Sequence, residues 1–67
     1  MRGEIRLAAA NRHRAVWAKH DATADIWELF ASRECDDYTG LWVQRFSDAE
    51  AVAKDWLLEQ AIRAARG

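Results

Sequence analysis

Apolar side chains recur along the last third of the chain at the spacing of an α-helix. Placed at about 100° per residue, Ala53, Trp56, Leu57, Leu58, Ala61, Ile62 and Ala65 cover most of one circumference, and Asp48, Asp55, Glu59, Arg63 and Arg66 share a narrow polar face. The end signals predict a helix from Ser47 to Arg66. Ser47 is placed to cap the first turn and Glu50 to reach back to the Ser47 N–H, which makes a capping box, with Phe46 and Ala51 at the staple positions. Asp48 and Glu50 suit the positive end of the helix dipole, and Arg63 and Arg66 the negative end. The pairs Glu50 with Lys54 and Glu59 with Arg63 each add about 0.2 to 0.5 kcal/mol. The apolar sector is wider than packing on one layer requires, which leaves surface for a second partner, including another copy of the chain.

Upstream, the pattern supports two readings. Taken as strands, His13 to Lys19, Asp25 to Ser32 and Leu41 to Phe46 form a three-stranded antiparallel meander, separated by His20 to Ala24 and by Asp36 to Gly40. The β-formers Val16, Trp17, Ile26, Trp27, Phe30, Trp42, Val43 and Phe46 favour this, and Gly40 suits a hairpin loop. Taken as helix, Thr23 caps a segment over residues 23–35 in which Ile26, Leu29, Phe30 and Arg33 recur at helical spacing. Strands are preferred, because Leu41 to Phe46 would otherwise be an orphan extended piece. Ile5, Ala8, Ala9 and Arg12, with the Ala8-Ala9-Ala10 run, predict a short N-terminal helix. The expected fold is therefore α+β: a short N-terminal helix, a three-stranded meander and a C-terminal amphipathic helix packed on the sheet. The alternative is an all-α three-helix bundle.

Composition strengthens the case for one folded domain over residues 1–67. Apolar residues make up 51% of the chain, including Trp17, Trp27, Trp42 and Trp56, too many for a disordered chain despite 31% charge. Each large apolar side chain that is fully buried contributes roughly 2 to 3 kcal/mol, which marks the four indoles as the expected core. A domain this small buries a modest share of its surface, so self-association would add stability. The lone Cys35 rules out an internal disulfide, no apolar run reaches the roughly 20 residues of a membrane span, and the N-terminus lacks a secretory pattern. A reduced, cytoplasmic setting is expected, without membrane association.

The net charge of −1 hides an asymmetry: residues 1–20 carry five Arg or Lys against one Glu, and residues 21–67 carry five against ten acids. The basic third offers Arg2, Arg6, Arg12, Arg14 and Lys19 to phosphates, but Asp48 and Glu50 at the start of the last helix and a pI near 6.1 oppose that use.

Catalytic chemistry has little to stand on. His13 and His20 are seven residues apart, so they face opposite sides of a strand or lie roughly 10 Å apart along a helix. The carboxylates of Asp36 and Asp37 beside Cys35 raise a thiol's pKa and blunt it, and the Asp pair lacks the ligand pattern of a calcium loop. No catalytic residue, metal site or cofactor is expected. The sequence thus predicts a non-catalytic protein-binding module, a regulator, adaptor or inhibitor of a larger protein, with a homodimer as one form. Its expected contact residues are Trp17, Trp42, Trp56, Leu58 and Ile62, since tryptophan anchors interfaces. The alternative is a nucleic-acid-binding module built on the basic third.

Overall fold

The computed structural model describes residues 3–67 as a four-stranded antiparallel sheet followed by one long helix. The strands are β1 (Ile5–Ala10), β2 (Ala15–Asp21), β3 (Ile26–Phe30) and β4 (Tyr38–Val43), and the helix is α1 (Phe46–Arg66). Strand order follows chain order, β1-β2-β3-β4. The α+β class and the C-terminal helix agree with the sequence reading, the expected three-stranded meander has four strands instead, and the all-α alternative does not survive. Residues 23–35 hold a strand, not a helix.

Several expectations are corrected. In place of an N-terminal helix there is a fourth strand, β1, whose pairing with β2 outweighs the helix propensity of three alanines. The Asn11 side chain fixes the turn between them by accepting hydrogen bonds from the His13 and Arg14 N–H groups at 2.9 and 2.8 Å. The capping box is also absent. The cap position is Arg45, in extended backbone and without a side-chain cap, and Ser47 lies inside the first turn. Phe46 is drawn into the helix by its ring contact with Trp27, at 5.1 Å between centroids. Asp48 in the first turn and Arg63 and Arg66 in the last retain their favourable positions on the dipole.

The remaining loops are held by short side chains. Asp21 accepts hydrogen bonds from the Thr23 and Ala24 N–H groups, and Asp25 turns the chain at φ 55°. Beyond β3, Ser32 Oγ accepts from the Asp36 and Asp37 N–H groups and donates to the Asp36 carboxylate at 2.6 Å. Gly40 is not in a hairpin loop but within β4, at φ 87°, where residues 39–41 face Leu29 alone and the strand bulges. Thr39 Oγ1 bridges this gap, donating to the Leu29 carbonyl at 2.8 Å and accepting from the Leu41 N–H. At the other end of the sheet Gly3 lies so close to the His20 carbonyl that a side chain has no room there.

One face of the sheet receives the helix. Ala9, Val16, Ala18, Leu29 and Val43 are buried against Ala49, Ala53 and Leu57, which are four residues apart along one line of α1. This core is lined mainly by alanine, and its largest fully buried side chains are Leu29 and Val16. The expectation that indoles fill the gap is therefore corrected: none of the four tryptophans is buried. Alanines let the helix backbone approach the sheet too closely for a ring between them. Trp27 and Trp56 instead flank the seam.

The sheet supports only the first half of α1. From Leu58 onward no residue is buried, and Leu58 is 62% exposed. This projecting half accounts for the elongated outline of 40 × 21 × 18 Å. Among the described residues, no helix is long and apolar enough to cross a membrane.

Candidate functional site: the open face of the sheet

Alternation along each strand sends every second side chain away from α1, and the register assembles those side chains into rows. Leu7 pairs with Trp17, Trp17 with Phe30 and Phe30 with Tyr38, so one apolar row crosses all four strands. Beside it runs a second row, Ile5, Lys19, Glu28 and Trp42. Nothing in the described chain lies over this face as α1 lies over the other. Ile5, Leu7, Tyr38 and Trp42 are exposed, and Trp42 is 55% accessible. The Phe30 and Tyr38 rings meet at a tilt of 42° with centroids 5.2 Å apart. Burial raises the Tyr38 hydroxyl pKa, with a further push from the Glu28 carboxylate, so the ring remains neutral.

Arginines cover three of the four indoles. Arg6 lies over Trp27, Arg14 over Trp56 and Arg33 over Trp17, at 5.5, 5.0 and 5.7 Å from the ring centres. Among the described residues no arginine covers Trp42, which leaves it the most open indole of the molecule.

The side chains singled out in the sequence fall into separate places. Trp17 and Trp42 share the open face. Trp56, Leu58 and Ile62 belong to α1 on the other side of the sheet, Trp56 packed at the core margin and Leu58 and Ile62 exposed on the projecting half. The basic residues are dispersed. Arg6 and Arg14 are engaged over aromatic rings of the helix side, Arg12 sits in the β1–β2 turn, Lys19 is on the open face, and Arg2 lies outside the described residues. Sequence reasoning missed Leu7, Phe30 and Tyr38, the rest of the apolar row. Alternation about Trp17 and Phe30 was a usable signal, but joining them to Leu7 required a strand where alanines suggested helix.

The titratable groups do not converge. His13 and His20 sit beyond and near opposite ends of β2, and His20 is occupied with the Trp27 ring at 5.0 Å and the Asp25 carboxylate at 3.1 Å. Among the described residues, no group of three or more His, Cys, Asp or Glu side chains is placed to hold a metal ion. The Cys35 thiol is pushed up by burial, helped by Asp36 and Glu34 and opposed by Lys19. Its reactive thiolate is therefore scarcer in the folded chain than in the unfolded one. Iodoacetamide at pH 8 should alkylate Cys35 more slowly in native protein than in urea, with the difference shrinking as pH rises and both forms ionise.

A groove of about 380 Å³ separates the β1–β2 turn from the later turns of α1, lined by Asn11, His13, Arg14, Leu57, Gln60 and Ala61 among others. Comparison with known protein families, with characterised proteins and with solved structures finds no match to this chain.

Proposed function

We propose that this chain is a non-catalytic protein-binding module, a regulator or adaptor whose contact surface is the open face of the sheet. The observation that carries the reading is the unbroken row Leu7, Trp17, Phe30 and Tyr38, flanked by the uncovered Trp42. Aromatic side chains held on a rigid sheet bring large contact area at small entropic cost, and tryptophan and tyrosine are the residues on which interface energy concentrates. The mixed charge of the face, with Lys19 and Arg33 against Glu28 and Asp21, suits a protein surface better than a polyanion. The dispersal of Arg6, Arg12, Arg14 and Lys19 weighs against a phosphate-binding stripe.

The test is retention of protein partners on immobilised chain, comparing wild type with Trp42→Ser and Leu58→Ser. Retention should fall at least about tenfold for Trp42→Ser, the scale of a lost interface anchor, and stay near wild type for Leu58→Ser. Equal retention by all three would remove the open face from consideration. A gel shift of nucleic acid that weakens with salt and disappears in Arg12→Ala/Arg14→Ala would replace the reading with the nucleic-acid one.

A further inference from the structure

The symmetry of the open face identifies a partner that fits it. In a two-fold dimer, any contact of residue i with residue j is repeated as j with i, so a face suited to its own copy must be complementary to its own image. The register meets that condition for one axis, running parallel to the strands between β2 and β3. Rotation about it lays β2 over β3 of the second copy and β1 over β4, while every residue keeps its height along the strands.

Cross-strand partners thereby become partners across the interface. Leu7 meets Tyr38 and Ile5 meets Trp42 of the second copy, and Trp17 meets Phe30 once the Arg33 guanidinium, 5.7 Å from the Trp17 ring centre, moves aside. Lys19 meets Glu28, and the reciprocal pair forms beside it. Among the described residues, neither Lys19 nor Glu28 has an ion-pair partner within its own chain. An axis running across the strands between the two rows would instead set Lys19 on Trp17 and Glu28 on Phe30, giving neither charge an opposite charge from the second copy. Asp21, the remaining acid on this side of β2, is held at the rim by its hydrogen bonds to the turn.

We propose that the open face is a homodimer interface, two sheets packed face to face about an axis between β2 and β3, with reciprocal Lys19–Glu28 pairs amid an apolar row. The proposal rests on the reading of this face as a protein-binding surface and names its occupant as a second copy. Aligned sheet packing about 10 Å apart is the ordinary geometry for such a sandwich. Four strands at about 4.8 Å spacing make a face some 19 Å across, the size of a small interface, so the dimer responds to dilution.

The experiment uses charge reversal and mass measurement. Light scattering of wild type over a wide concentration range should rise from 7.7 kDa to twice that mass. Lys19→Glu alone and Glu28→Lys alone should each weaken self-association at least about tenfold, because each places like charges in both reciprocal contacts. An equimolar mixture of the two variants should recover the dimer as a 1:1 heterodimer, since both contacts are then opposite in sign. Circular dichroism of each single variant reports whether it is folded, and the mixture tests the contact without relying on either homodimer.

A monomer mass at every concentration overturns the dimer. A dimer indifferent to both reversals, or a mixture that stays monomeric, overturns this interface. A wild-type monomer that nonetheless retains another protein through Trp42 defeats the dimer and leaves the protein-binding reading intact. Loss of both would defeat the two together.

Discussion

Leu29→Ala should cost about 2 to 5 kcal/mol, enough to remove much of the stability expected of so short a chain. Leu29 is fully buried at the centre of the sheet, and its cross-strand neighbour on β2 is Ala18. Across from it the helix presents Ala49 and Ala53. These neighbours are small and fixed by backbone position, so they cannot move in to fill the void, and the cost should lie toward the upper end of the range. Urea denaturation followed by circular dichroism should show a midpoint well below wild type, or an unfolded variant at 25 °C. Trp42→Ser, on the open face, should remain within about 1 kcal/mol of wild type in the same experiment. If the two substitutions cost the same, the placement of the core on the helix side of the sheet is wrong.

Ala53→Leu probes the same seam from the opposite direction. Ala53 is buried with no accessible surface in the line Ala49, Ala53 and Leu57 that faces the sheet. A larger side chain there must push the helix away from β2 and β3, and overpacking of this kind costs about 1 to 3 kcal/mol. The displacement would also separate Phe46 from Trp27, so the near-ultraviolet circular dichroism of the aromatic rings should weaken along with the urea midpoint. Ala61→Leu, on the projecting half, adds the same atoms without a sheet beneath them and should leave both signals unchanged. A stabilising Ala53→Leu would mean that the helix and the sheet are not in close contact.

The parts of this fold that follow from local pattern are legible in the sequence, and those that follow from pairing are not. The long helix announces itself through the spacing of Ala53, Trp56 and Leu57 and through charges suited to both ends. The strands β2 to β4 announce themselves through β-branched and aromatic residues, with boundaries displaced by a few residues. β1 is hidden for a physical reason. Its register shifts between Leu7 and Ala9, so Ala8 and Ala9 are both buried and the alternation that marks a strand is interrupted. The alanines at that point have the highest intrinsic helix propensity, which the tertiary pairing overrides.

The open face is illegible for a related reason. Trp17 and Trp42 come onto one side only after two strand pairings and the bulge at Thr39 to Leu41 have been counted, and an error of one residue in either would turn an indole to the other side. The capping box failed because a favourable motif lay one step inside a helix whose start is set by the Phe46 ring on Trp27 rather than by a hydroxyl.

The later turns of α1 are maintained by little besides their own backbone hydrogen bonds and the Glu59–Arg63 pair at 2.8 Å. Isolated helical turns are marginal in water, so this end should open more readily than the sheet-backed turns. A binder that grips Leu58 and Ile62 must therefore supply the free energy of winding as well as that of contact. Its affinity would follow any residue change that alters helix propensity there, even at positions it never touches.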